Sequence, residues 1–120
     1  MACGHQAQAT YYVPRSVDES GSTEFRGSDM WEWAQWFKNA HQIPFTEGGK
    51  VVARDELPGS VCVSTVFLGL DHSFSSGPPV LFETMIFGGP HSEDQERYCT
   101  YHEALAGHAR ALALAKGEST

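Results

Sequence analysis

The sequence predicts an α+β fold. An antiparallel meander of about four strands packs on two helices, in the order α-β-β-β-β-α, as a two-layer sandwich. Three observations predict it. "SDMWEWAQWFKNA" repeats apolar residues at helical spacing. The middle of the chain holds strand-like runs separated by Gly and Pro turns. "TYHEALAGHARALALA" closes the chain as an alanine-rich, capped helix. An antiparallel sheet can bury one face and wet the other, and two amphipathic helices would cover the buried face.

The elements follow in order. Residues 1–28 are expected to be a polar, partly flexible N-terminal arm, because "SVDESGSTEFRGSD" has few large apolar groups. Within it "TYYV" can add a short edge strand. Residues 29–117 are the single α+β domain. Asp29 caps the first helix, with Glu32 completing a capping box. Met30, Trp33, Trp36, Phe37 and Ala40 fall on one stripe, expected to be buried, while Trp31 points the opposite way. "KVVAR" reads as a short strand and "DELPGS" as a turn. In "VCVSTVFLGL" one face is Val61, Val63, Thr65 and Phe67, apolar but for the threonine, and it should meet the helices. "PVLFETMIF" and "QERYC" complete the meander on either side of "GGPHSED". Thr100 and Glu103 form a second capping box. The last helix then sets Tyr101, Ala104, Leu105, His108, Leu112 and Ala115 on one face.

Composition narrows the classes. The chain has 120 residues, 41% hydrophobic and 19% charged, which suits one soluble domain. No apolar run reaches the roughly 20 residues of a membrane helix, and no signal sequence is seen, so the expected location is cytoplasmic. The net charge of −7 with scattered Lys and Arg argues against direct nucleic-acid binding. Cys3, Cys62 and Cys99 are expected as reduced thiols. No HExxH or CxxC occurs among the six histidines and three cysteines, so no metal or other cofactor is expected.

Glu83 is the most conspicuous polar residue, a carboxylate inside an apolar strand. Desolvation there could make it a general acid or base. The competing reading is an ion pair across the sheet with Arg97. Asp71 and His72 stand at a strand end, where enzymes place catalytic groups, but neighbouring side chains on a strand diverge. No catalytic residue is assigned beyond the weak candidates Glu83, His72 and Asp71. Phe74, at the tip of "SFSSGPP", has the form of a binding anchor. The candidate binding surface joins Asp71, His72 and Phe74 to the acidic Glu93, Asp94 and Glu96, with Trp31 in addition. His108, on an apolar helix face, is expected to be a hydrogen-bonded core histidine.

The stretch "VSTVFLGLDHSFSSGPPVLFETMIFGG", followed by "ERYCTYHEALAGHARAL", resembles a family of small bacteriophage and prophage proteins. The resemblance spans Val63 to Leu112 and carries only the order strand, loop, strand, helix. It implies a phage accessory protein in the host cytoplasm, which binds a host protein and can inhibit a defence system. Such a factor needs a surface rather than an active site. A second reading is a small hydrolase or transferase using Glu83 with Asp71 or His72. A third is a virion or assembly component, which would form homo-oligomers.

Overall fold

The computed structural model describes residues 10–14, 25–71 and 77–117. In chain order these hold β1 (Tyr11–Pro14), β2 (Phe25–Ser28), α1 (Met30–Asn39), β3 (Val51–Leu57), β4 (Val61–Phe67), β5 (Phe82–Phe87), β6 (Gln95–Tyr98) and α2 (Tyr101–Ala115). Strands β3 to β6 pair antiparallel in sequence order, which is the meander read from the sequence, and β1 and β2 form a separate two-stranded ribbon.

Side-chain alternation orients the sheet. In β4, Val63, Thr65 and Phe67 are buried while Cys62, Ser64 and Val66 are half-buried. The register sets Phe82, Thr84 and Ile86 of β5 on that same face. Helix α2 lies across it and touches all four strands. Its N-terminus is held by the expected capping box. The Thr100 hydroxyl accepts from the Glu103 amide at 3.0 Å, and the Glu103 carboxylate accepts from the Thr100 amide at 3.1 Å.

Helix α1 sits differently. It packs on β1 and closes the end of the sheet through its tryptophans. Trp33 Nε1 donates to the Leu68 carbonyl at 3.2 Å, and Trp36 Nε1 to the Gly48 carbonyl at 2.7 Å. Trp36 meets Phe67 edge-on, with centroids 5.6 Å apart. The aromatic core gathers at this end: Tyr12, Phe45, Phe67, Leu81, Phe82, Tyr98 and Ala104, with Phe25, Trp36, Val52 and Tyr101 against them.

Five local expectations change. The folded unit reaches back past residue 28, since Tyr12 and Val13 are buried and Phe25 stacks on Phe67; the remainder of the arm lies outside the described residues. β3 runs on to Leu57, so the turn shrinks to Pro58, Gly59 and Ser60. Glu32 does not complete a capping box. Asp29 does accept from the Glu32 amide at 2.7 Å, but the Glu32 carboxylate turns to the Arg26 guanidinium on β2 and takes a two-toothed grip, one arm of it at 3.1 Å. Met30 is exposed rather than buried, because α1 rests on the narrow ribbon and not on the broad sheet. Leu105 is also turned outward, and Ala104, Gly107 and His108 form the buried line of α2.

The reason for that rotation is a close approach. A Cβ on Gly107 would stand 2.0 Å from the Tyr98 hydroxyl oxygen. Small residues at 104 and 107 therefore let α2 settle directly onto β6. The replacement Gly107→Ala should lower stability by about 1–3 kcal/mol through overpacking, measured as a fall in the urea midpoint. In an unobstructed helix the same change would raise stability by roughly 1 kcal/mol, so the sign alone decides the point.

The Arg26–Glu32 grip gives a pH dependence. Hydrogen bonding from Arg26 holds the Glu32 carboxyl below the usual carboxylate range. Its contribution is therefore present above the ordinary glutamate pKa and is lost as pH falls through the lowered folded value. Both side chains are exposed, so the effect is small. Acid titration of Glu32→Gln should show a slightly shallower loss of stability on acidification than the parent chain.

Candidate functional site

Between α2 and the sheet lies a continuous polar chain. His108 is buried, and its Nε2 is 2.7 Å from Oδ2 of Asp55 on β3. Its Nδ1 is 2.7 Å from the Thr65 hydroxyl on β4, which is 2.5 Å from the Thr84 hydroxyl on β5. With the imidazole neutral, Nε2–H donates to the carboxylate. Nδ1 then accepts from the Thr65 hydroxyl, which in turn accepts from Thr84. The phenol of Tyr98 donates to Glu96 at 3.0 Å, and Glu96 is bridged by Arg110 of α2 at 3.1 Å. Burial pushes the Tyr98 phenol up, so it stays a donor at neutral pH. Among the described residues no buried side-chain nitrogen or oxygen lacks a partner.

Asp55, His108 and Thr65 repeat the order carboxylate, imidazole, hydroxyl of a nucleophilic triad. Thr65 is 0% exposed, however, and no substrate atom can reach its oxygen. The chain does structural work: it ties three strands to one helix. His108 is the hydrogen-bonded core histidine expected from its place on the apolar helix face. Its partners were missed. Thr65 and Thr84 are polar residues at core positions of two apolar strands, and a histidine stands at a core position of a helix. Buried polar groups must find one another, and that signal could have joined the three. Asp55 was hidden by being read as part of a turn.

The sequence-predicted residues fall at separate places. Glu83 pairs with Arg97 in the β5–β6 register, Arg97 Nε donating to Oε2 at 3.0 Å. Asp71 closes the β4–β5 connection by accepting from the Val80 amide at 2.9 Å, while its own amide donates to the Thr10 carbonyl at 3.0 Å. His72 and Phe74 lie outside the described residues. Glu93, with φ of 75°, and Asp94 occupy the β5–β6 turn. That turn is at the opposite end of β5 from Asp71, about 20 Å away at the rise of a six-residue strand. The single surface drawn from the sequence is therefore two surfaces. Trp31 belongs to the Asp71 end, since the strand preceding α1 pairs with β1 and β1 bridges to Leu70.

A groove runs along edge strand β6 and α2, from the Glu93 end toward the Cys99 end. Glu96 and Arg110 border both of its parts. One is a cleft of about 340 Å³ whose walls include Thr84, Ile86, Asp94 and Leu114. The other, about 470 Å³, includes Tyr98, Cys99 and Glu103. Burial pushes the Cys99 thiol up, with Glu103 and Asp71 adding to it, so it is poorly suited to act as a thiolate nucleophile. Among the described residues no group of three or more His, Cys, Asp or Glu side chains is placed to hold a metal ion, and no helix is long and apolar enough to cross a membrane.

Comparisons with protein-family models, with curated proteins and with solved structures find no match.

Removing one member of the polar chain strands the others. Thr65→Val should cost about 1–3 kcal/mol in denaturant unfolding, because His108 Nδ1 loses its donor in a buried place. Glu83→Gln, at a pair whose Arg97 side is open to water, should cost about 1 kcal/mol or less. Equal losses for the two variants would contradict this ranking.

Proposed function

We propose that this chain acts by binding another protein, in the manner of a phage or prophage accessory factor that occupies a host protein, including a component of a defence system. The observation that carries the reading is Trp31. Its side chain is 74% exposed on the first turn of α1, beside Met30 at 61%. Tryptophan and methionine are enriched at interface cores, and tryptophan is a frequent hot-spot residue. A large ring left in water on a loose tail would mean little. Here the helix start is fixed by the Asp29 cap and by the Arg26–Glu32 grip, so the ring is presented on a rigid element and loses little freedom on binding.

Charge supports a partner with a basic surface. The chain carries −7, which steers a positively charged protein toward it and repels nucleic acid. Occlusion of the partner's own surface is then the mechanism, with no bond made or broken. The sheet face away from α2 adds half-buried Val66 and Met85 and a 48% exposed Phe87, which a second copy would cover in a homo-oligomer.

The test is native mass spectrometry of the chain recovered from the cells that carry it. A complex of fixed stoichiometry with one other protein is expected. Trp31→Ala should leave the unfolding midpoint within about 0.5 kcal/mol of the parent and weaken the complex by at least about tenfold. Recovery of the parent chain alone, or a complex that Trp31→Ala leaves at full strength, would overturn the reading. A complex made only of copies of this chain would replace it with an assembly role.

A further inference from the structure

Strand β3 stands at the margin of the four-stranded sheet, and the Pro44–Val51 bridge meets its outer side only at its start. Hydrogen-bond alternation identifies the groups left over further along. In β4 the Leu68 amide donates to the Leu81 carbonyl, toward β5, and the Phe67 amide to the Lys50 carbonyl, toward β3. The odd-numbered residues of β4 therefore address β3, and their partners there are Ala53, Asp55 and Leu57. Arg54 and Glu56 direct their N–H and C=O groups outward. Among the described residues no strand pairs with them on that side. Such a row of backbone groups is a template for another strand. Pro58 has no N–H, so the row ends there. The side chains of Arg54 and Glu56 lie on the sheet face away from α2, since Asp55 between them reaches His108. They form a pair at 3.4 Å and are 55% and 74% exposed.

We propose that the β3 edge pairs with the β3 edge of a second copy of this chain, antiparallel and centred on Asp55, joining the two sheets into one. A two-fold axis perpendicular to the sheet keeps each side chain on its own face. Opposed residues must then share a face, which leaves few registers. The one centred on Asp55 sets Arg54 against the second copy's Glu56, and Glu56 against the second copy's Arg54. Both pairs are of the kind that exchanges backbone bonds in each direction. Arg54 and Glu56 also neighbour each other along the strand, so the charges form a ring of alternating sign. Centring on Arg54 or on Glu56 would put like charges opposite each other, which destabilises a strand pair. Charges on an edge strand ordinarily keep other strands away. Here their order opposes a foreign strand and admits a copy of itself. The cost lies at the centre, where the Asp55 carboxylates meet on the helix side. Each is held by its own His108 at 2.7 Å. With that cost and a short ladder the dimer belongs to the weak, transient class of interfaces. The pairing leaves Trp31 unused and does not rest on the protein-binding reading.

The experiment is sedimentation equilibrium of the purified full chain at low salt, from about 10 μM to about 1 mM, the span in which weak interfaces fill. A reversible dimer is expected. Amide exchange at Arg54 and Glu56 should slow as the concentration rises, because their N–H groups gain acceptors. Arg54→Glu and Glu56→Arg sit at exposed positions and should leave the unfolding midpoint close to that of the parent. Each alone should weaken the dimer at least about tenfold, since like charges then face each other. An equimolar mixture of the two variants should associate at least as tightly as the parent, because every opposed pair is again a glutamate against an arginine. A chain that stays monomeric at every concentration would overturn the proposal. So would a dimer that either reversal leaves intact, which would place the contact on another surface. A mixture that associates no better than its components would overturn the register, and with it the pairing proposed.

Discussion

The hydrogen-bonded position of His108 is the constraint on which the arrangement of the layers depends. Helix α2 brings little large apolar surface to the sheet. Its buried line is Ala104, Gly107 and His108, while Leu105 and Leu114 face outward. Greasy contact alone would let such a helix slide or rotate. Directional bonds to Asp55 and Thr65 do not. They also join β3, β4 and, through Thr84, β5 to one point on the helix. A buried network of this kind is firm when every member is satisfied and costly when one is lost. The absence of side chain at 107 then brings the Tyr98 ring against the helix backbone, which fixes the helix height.

The two ends of the sheet are built from different materials. At the Phe67 and Phe82 end, rings pack on rings: Phe45 lies 4.9 Å from Phe67 and 5.4 Å from Phe82, and Tyr101 stacks on Phe45 at 5.3 Å. Such packing is dense and indifferent to small changes of angle. At the Ile86 end, small residues of α2 face a charged strand, and the gap between them stays open as a cleft. The aromatic end carries the ribbon and α1, with Trp31 at its rim. The cleft end carries the acidic turn. This division explains why candidate residues close in sequence terms do not share one surface.

Much of the frame was legible because it rests on local rules. Alternation in β4 identified the buried face, and a turn at Gly88–Gly89 allowed Glu83 to be read as the cross-strand partner of Arg97. The Thr100–Glu103 box marked the start of α2. The remainder was illegible for definite reasons. Asp55 looked like a turn residue because Asp and Glu are poor strand formers, yet its strand gains a partner for the carboxylate. Met30 and Leu105 obeyed helical spacing, but spacing gives a stripe and not the width of what covers it. Met30 extends beyond its narrow support, and Leu105 yields to the closer approach at Gly107. β1 was read in "TYYV" as an edge strand, but its pairing with β2 was hidden by the polar residues between them. The relay of Asp55, His108, Thr65 and Thr84 draws one residue from each of four elements, and no spacing rule links them.

The ribbon also has a consequence for synthesis. β1 bonds across to the stretch after β4: the Tyr12 amide donates to Gly69 at 2.7 Å and Tyr11 bridges Leu70. A chain grows from its N-terminus, so Tyr12 and Val13 leave the ribosome well before the segment that will cover them. At elongation rates of roughly 5–20 residues per second that interval is on the order of seconds. The meander, whose pairings join neighbours, can form as it emerges. The ribbon's own strands can pair early, but β1 cannot dock on Gly69 and Leu70 until β4 has emerged. Tyr12 and Val13 thus stay without their final cover on the nascent chain until that stretch has emerged.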